Sequence, residues 1–505
     1  MTRLGFLLDS ESCIGCHACT VACKAEHEVP LGVNRTWVKY IETGTFPDVG
    51  RHFSVMRCNH CDDAPCISIC PTNALFRADN GVVDFDDGNC IGCKGCMNAC
   101  PYDAIYINPV TNTANKCNFC NHRIEQGLEP SCVVVCPTHA IKVADLDDPT
   151  DATTELIARS DTVVRAPEQN TQPKVYYRGA DQASLDPLRT AIAPDGMIWA
   201  DTTAQHPTAD LAGDSVVART VYTTAHQMMW KAKVSSYLVT KAVAAGVMMM
   251  AALMVTLGGH YYEQTAVAVM PSVVAWFFLA VTAVLLVGDL KRPERVYYLI
   301  TRANRRSWLV KGAAVLGAFT VLCGAWLWAG LVESPGAQVL LSVLVVLLGA
   351  ATAGYTAFLF GQCEGRDLWQ SPLVLPTLLA QALVAGGAVY TVADLVMDMP
   401  DLVMVYSVML GGIGACAVLI GAELTVRGTA QAEAAVAAMT QGRYARQFWL
   451  GGVVFGLILP AVLVSVALAT DSGLVPAAVA GISAVVGMWF YEDSFVRAGQ
   501  SVPLS

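Results

Sequence analysis

Residues 90–101 read Cys90-Ile91-Gly92-Cys93-Lys94-Gly95-Cys96-Met97-Asn98-Ala99-Cys100-Pro101. Three thiols spaced by two residues can wrap three corners of an iron–sulfur cube from a single loop, and the fourth ligand has to come from elsewhere. The pattern is not isolated. Sixteen of the nineteen cysteines lie in the first 136 residues, in four groups: Cys13, Cys16, Cys19, Cys23; Cys58, Cys61, Cys66, Cys70; Cys90, Cys93, Cys96, Cys100; and Cys117, Cys120, Cys132, Cys136. Groups one and three share the spacing C-x2-C-x2-C-x3-C, while groups two and four widen the middle gap to four and eleven residues. Such a set predicts four [4Fe–4S] clusters.

Three groups end in one phrase: Cys70-Pro71-Thr72-Asn73-Ala74, Cys100-Pro101-Tyr102-Asp103-Ala104 and Cys136-Pro137-Thr138-His139-Ala140. In the ferredoxin run the cysteine before proline ligates the other cluster of a pair, so the groups are paired crosswise. Groups two and three, joined by a hairpin-like stretch from Ala74 to Asn89 with an Asn80-Gly81 turn, form one two-cluster unit. Groups one and four form a second, into which the first is inserted. The expected sets are Cys13, Cys16, Cys19 with Cys136; Cys117, Cys120, Cys132 with Cys23; Cys58, Cys61, Cys66 with Cys100; and Cys90, Cys93, Cys96 with Cys70.

Other uses of these thiols fit less well. Structural zinc needs four thiolates per site but not the repeated Cys-Pro phrase. A disulfide framework suits a short secreted domain, and no secretory or twin-arginine segment precedes Cys13. Cys13-Ile14-Gly15-Cys16-His17 matches a haem c attachment pattern, but Cys19 and Cys23 complete the cubane run.

The second half is a different material. The chain is 54% hydrophobic and 15% charged, averages that hide a break near Tyr237. Beyond it, apolar runs long enough to cross a bilayer recur eight times, at roughly 242–259, 267–288, 312–332, 337–361, 372–393, 402–422, 448–469 and 474–491. The expected fold is an α+β ferredoxin-like double dicluster domain over residues 1–145, a strap over 146–230 and an all-α polytopic membrane bundle of about eight transmembrane helices over 231–505. The strap is polar and dotted with proline. Val163-Val164, Val175-Tyr176-Tyr177 and Met197-Ile198-Trp199 are its apolar anchors, expected to lie on the cluster domain or the membrane face.

Fifteen Lys and Arg residues follow residue 230. Each precedes or opens the first span, or lies on the side reached after an even number of crossings. The loop after the second span holds Lys291, Arg292, Arg295, Arg302, Arg305, Arg306 and Lys311; Arg366, Arg427, Arg443, Arg446 and Arg497 come later, and the opposite loops hold none. Positive loops stay in the cytoplasm. The expectation is a multi-pass protein of a bacterial-type cytoplasmic (inner) membrane, with the cluster domain and both termini cytoplasmic.

A haem b needs histidines inside the bundle, and this half holds only His226, before the first span, and His260, in the first outer loop, so no haem is expected. The carrier left within the bilayer is a quinone or quinol. Ionisable and polar residues gather at the positive side: Tyr237 and Lys241 opening span one, Asp289 closing span two, Gln362 and Glu364 closing span four, Glu423 closing span six. The blander alternative is that Lys241 snorkels and the acids balance nearby arginines. Asp394 lies at the far end of span five, and Cys323, Cys363 and Cys416 are packing residues.

Residues 1 to about 190 resemble the four-cluster electron-transfer subunits of molybdopterin oxidoreductases, relatives of the dimethyl sulfoxide and polysulfide reductase iron–sulfur subunits, with all sixteen cysteines present. Some relatives replace a cysteine of the second group and hold a three-iron cluster; Cys66 points to a full cubane here. From about residue 219 the chain resembles the NrfD-like polysulfide reductase membrane subunits. The match lies in Tyr237-Leu238-Val239-Thr240-Lys241, Asp289-Leu290-Lys291-Arg292-Pro293-Glu294-Arg295, Arg305-Arg306-Ser307-Trp308-Leu309 and Tyr355-Thr356-Ala357-Phe358-Leu359-Phe360. The resemblance implies two subunits fused into one chain, a molybdopterin-binding catalytic partner, and quinone exchange near the face where the iron–sulfur part docks. Electrons must pass from a cluster to a head group there, which makes Tyr222, His226, Tyr237, Lys241, Asp289, Arg292 and Arg295 the candidate quinone residues. Two other functions stay open: a redox-driven proton-translocating module, and an anchor without its own quinone site. No nucleotide loop, dinucleotide fingerprint, nucleophile triad or nucleic-acid module is found. No catalytic residue is expected.

Overall fold

The computed structural model describes residues 2–45, 47–192, 218–259, 265–426, 428–470 and 473–505. The anchor Met197-Ile198-Trp199, His260 and Arg427 lie outside the described residues. Leu4–Asp9 is a nearly unbroken apolar run, as a strand covered on both faces should be. It pairs antiparallel with Ile141–Asp145 and parallel with Val175–Arg178, which takes Thr162–Val163 on its outer edge. A second sheet is built on the long hairpin of Thr36–Thr45 with Asp48–Arg57, extended by Ala218–Tyr222 and then Ala191–Ile192. Stretches on both sides of residue 200 therefore add strands to the cluster domain's own sheets, with Val163, Val175, Tyr176 and Tyr177 all in the first. Leu75–Arg77 pairs with Val83–Phe85 across the Asn80-Gly81 turn, and Ile105–Ile107 pairs with Ala114–Lys116.

The repeated cysteine phrases have a backbone explanation. The third residue after each Cys-Pro cysteine adopts the left-handed conformation: Asn73 at φ 55°, Asp103 at 52° and His139 at 52°. Asn, Asp and His are the non-glycine residues that enter this region most readily. The turn aims the next amide back at the sulfur, so that Ala140 N–H donates to Cys136 Sγ at 3.3 Å. The alanines after the turns, Ala74, Ala104 and Ala140, are buried.

Among the described residues, eight helices are long and apolar enough to cross a membrane: Ala232–Leu257, Thr265–Asp289, Trp308–Leu331, Pro335–Gly361, Val374–Ala393, Leu402–Thr425, Gln447–Ala469 and Leu474–Ser501. The chain is a multi-pass membrane protein. Their number matches the apolar runs, but the last helix continues to Ser501 instead of stopping at 491. Spans one and five are central, and most of the others turn Val, Leu and Phe side chains outward, an arrangement that suits lipid. The two central helices meet backbone to backbone. A Cβ on Gly246 would strike the carbonyl of Ala382 and come 2.6 Å from the amide of Gly386, so only glycine fits there.

Candidate functional site

The fold gathers the sixteen sulfurs into four sets. Cys13 lies beside Cys16 and Cys136, and Cys19 beside Cys13. Cys23 neighbours Cys117, Cys120 and Cys132. Cys61 and Cys66 share their surroundings with Cys58 and Cys100. Cys93 and Cys96 share theirs with Cys70 and Cys90. These are the crosswise sets expected from the spacing. The helices carrying them interlock in the same way: Ala18–Glu26 packs on Ser131–Val134, and Pro65–Ile69 on Gly95–Ala99.

The sets also follow one another. Cys19 of the first is near Cys132 of the second. Cys117 of the second is near Cys58 of the third, and Cys66 of the third is near Cys96 of the fourth. Beyond the fourth, Cys93 is near Cys363, just past the end of span four.

The donor chemistry suits iron–sulfur clusters. Burial pushes the thiols of Cys61 and Cys93 up to about 12, so as free groups they would stay protonated, whereas bound iron supplies the positive charge that holds them as thiolates. Among the described residues no three His, Cys, Asp or Glu side chains are close enough to share one metal ion. Donors surround the sulfurs: Gly92 N–H and Ala114 N–H to Cys90 at 3.4 and 3.3 Å, and His60 N–H to Cys58 at 3.5 Å. Contacts of this kind help set cluster potentials.

The fourth set sits on the membrane half. Lys94, the residue after Cys93, places its ammonium 2.6 Å from a carboxylate oxygen of Asp289, which closes span two. Trp230 Nε1 donates to Cys93 O at 3.2 Å. Ser307 Oγ donates to Ile69 O at 2.7 Å and Asn304 Nδ2 to Cys70 O at 2.8 Å. A Cβ on Gly365 would come 2.7 Å from Cys100 O, so the loop after span four also lies directly against the cluster domain.

The seven candidate quinone residues divide. Tyr237 and Lys241, one helical turn apart on span one, are buried together. The Lys241 ammonium hydrogen-bonds Thr356 and lies over the Tyr355 ring at 4.4 Å, and Tyr237 is also near Tyr355, Thr356 and Asp289. Asp289 stands between this pair and Lys94, to which it is ion-paired, and the remaining four are committed elsewhere. Arg295 Nη1 donates to Asp87 O at 2.6 Å and Cys90 O at 2.8 Å, and Arg292 Nε to Thr111 O at 2.7 Å. His226 Nδ1 pairs with Asp103 at 2.8 Å and its ring packs on Trp37. Tyr222 stands in the second sheet beside Tyr40 and His17.

Two further acids lie just past residue 491, the expected end of span eight, and so outside the expected set. Glu492 and Asp493 are buried. Glu492 bonds Gln381 and lies in reach of Lys241. Asp493 accepts from Ser235 at 3.0 Å, Gln447 at 2.9 Å and Arg497 at 2.7 Å. Their sequence signal is that Tyr491-Glu492-Asp493-Ser494 follows the apolar run with no Gly or Pro to stop the helix. A separate cleft of about 990 Å³, lined by Glu168, Asp367, Ser371, Glu423 and Trp449, contains none of the seven candidates.

A line of cysteine sets resting on a polytopic helical bundle defines a membrane-bound iron–sulfur electron-transfer protein. The polysulphide reductase, NrfD family model matches residues 220–503, more than half of the chain, and the chain belongs to that family. Two 4Fe-4S dicluster domain models match residues 12–75 and 49–146. Among its relatives is the arsenate respiratory reductase iron-sulfur subunit ArrB of Shewanella sp. (strain ANA-3), 35% identical over 225 residues, covering 35% of this chain and 95% of the relative. The thiosulfate reductase electron transfer subunit PhsB of Salmonella typhi is 47% identical over 145 residues, 28% of this chain and 76% of the relative. Protein NrfC of Escherichia coli (strain K12) is 43% identical over 177 residues, 34% and 79% respectively.

Proposed function

We propose that this chain carries electrons between a cytoplasmic molybdopterin-binding catalytic subunit and the quinone pool of a bacterial-type cytoplasmic membrane, and anchors that subunit to the bilayer. Its sixteen cysteines hold four [4Fe–4S] clusters in the crosswise sets described above. When bound, these supply one-electron carriers. The observation that supports the reading is the succession Cys19 to Cys132, Cys117 to Cys58, Cys66 to Cys96 and Cys93 to Cys363, a single file ending at the membrane half. At the far end Cys16 is exposed, with Ile14, Val21 and Val134 bare around the first set, a surface suited to a partner.

The head group is assigned to the polar group under the fourth set. Lys241 and Tyr237 donate hydrogen bonds to its oxygens, and Asp289, at the water boundary, exchanges protons with them. Arg292, Arg295 and His226 keep the two halves in register, and Tyr222 supports the sheet. The test is quinol-dependent cluster reduction, followed optically in the purified chain beside reduction by dithionite. Lys241→Met should slow the quinol reaction at least tenfold and leave dithionite reduction intact. Unchanged quinol rates in Lys241→Met, Tyr237→Phe and Asp289→Asn would remove the site from this place. The buried Lys241, Glu492 and Asp493 favour one second reading, in which quinone turnover drives protons through the bundle.

A further inference from the structure

Arg57 ends the long hairpin and is fully buried, 0% exposed. An isolated buried cation costs several kcal/mol unless opposite charge offsets it. Among the described residues no carboxylate pairs with this one; the groups that bear most on its charge are Cys132, Cys117 and Cys19. Nη1 donates to Cys132 Sγ at 3.4 Å, while Nε and Nη2 have no partner among the described residues. The guanidinium is held in place by packing, 4.3 Å over the Phe6 ring, which is itself stacked on Phe119 at 4.0 Å.

These thiols belong to two different sets, Cys19 to the first and Cys117 and Cys132 to the second. We infer that Arg57 is a fixed cation set between the two outer clusters, and that its charge selectively raises their reduction potentials. Four thiolates give each cluster net negative charge, and reduction adds one more unit, so a fixed positive charge stabilises the reduced form more than the oxidised form. Clusters held in these two sets would offer sulfur acceptors to the unpartnered Nε and Nη2. Arg57 thus biases where an electron rests along the file, toward the partner-facing half, and acts as a tuning residue without touching substrate. The inference rests on the four-cluster assignment under the proposed function.

The experiment is a redox titration of the purified full chain, monitored by electron paramagnetic resonance, with iron content measured on each sample. Wild-type protein should carry about sixteen irons; a lower load would overturn the four-cluster assignment itself, whatever Arg57 does. In Arg57→Gln, still fully loaded, the midpoints of two clusters should fall so that their reduced-to-oxidised ratio at fixed potential drops at least tenfold, ~59 mV for a one-electron couple. The other two should hold. Arg57→Lys keeps the charge but loses the planar stack, and should fall between. Unchanged midpoints in a loaded variant, or an equal fall in all four clusters, would overturn the inference. So would loss of iron from both variants, because a residue that only adjusts potential leaves assembly intact.

Discussion

The ammonium of Lys94 lies 2.6 Å from a carboxylate oxygen of Asp289 and bridges the loop of the fourth cysteine set to the end of span two. Lys94 is almost wholly buried. Burial lowers its affinity for a proton, and Asp289 works against that loss. Removing one partner of a buried pair leaves an uncompensated charge, which costs ~3–5 kcal/mol. Asp289→Asn should therefore loosen the seam between the halves: backbone amides around Lys291 and Asn304 should exchange faster with deuterium while those in the hairpin of Thr36–Thr45 keep their protection. Equal protection in both proteins would show that the pair does not hold the seam.

The crosswise cysteine sets make a prediction that sequential groups do not. Cys136 is 120 residues from Cys16, yet both stand beside Cys13. Cys136→Ala should cost the cluster of Cys13, Cys16 and Cys19, about four irons, and leave the signal of the set containing Cys117, Cys120 and Cys132 in place. Loss of that second signal alone would return Cys136 to its sequence neighbours.

Much of this arrangement is legible in the amino-acid sequence, and the reason is local chemistry. Cysteine spacing reports loop geometry, and each Cys-Pro phrase carries an Asn, Asp or His at the position that turns left-handed. Apolar runs report helices because lipid leaves few other options. Long-range partners are not legible. Arg292 and Arg295 have the charge expected of a ligand clamp, but sequence shows a cation without showing its acceptors, here carbonyls of Asp87, Cys90 and Thr111. Tyr222 likewise reads as a residue approaching the membrane, and it is a strand residue paired with Tyr40. Glu492 and Asp493 are missed because an acid after an apolar run looks like a helix end; the lack of Gly or Pro in Tyr491-Glu492-Asp493-Ser494 lets the helix continue, and packing shows that it does so buried.

The proposed sidedness is a prediction from the fifteen positive charges beyond residue 230. Reporter fusions after Gly259 and after Arg446 should report opposite compartments, the first outside and the second inside. One compartment for both would mean that the eight apolar helices do not all cross.

The meeting of spans one and five at Gly246 and Gly386 should be intolerant of side chains. With the Gly386 amide 2.6 Å from a Cβ on Gly246, Gly246→Val must push the two central helices apart. Overpacking of this kind costs about 1–3 kcal/mol. The variant should unfold at lower temperature in detergent, with iron retained in the cluster domain until its own transition. An unchanged melting temperature would mean that the helices can part at no cost.

Glu492 separates the two readings of the membrane half. It is buried in span eight, bonded to Gln381 and within reach of Lys241 on span one. Gln at this position keeps the hydrogen bond to Gln381 and removes the exchangeable proton. If the bundle only binds and reduces quinone, Glu492→Gln should leave quinol-dependent cluster reduction within about twofold of wild type, since Lys241, Tyr237 and Asp289 are untouched. If turnover drives protons through the bundle, the same variant should leave quinone chemistry running while abolishing acidification or alkalinisation of sealed proteoliposomes, measured with an entrapped pH dye and a protonophore control. Wild-type vesicles that show no uncoupler-sensitive pH change during turnover would remove the proton-translocating reading and leave Glu492 a packing residue bonded to Gln381.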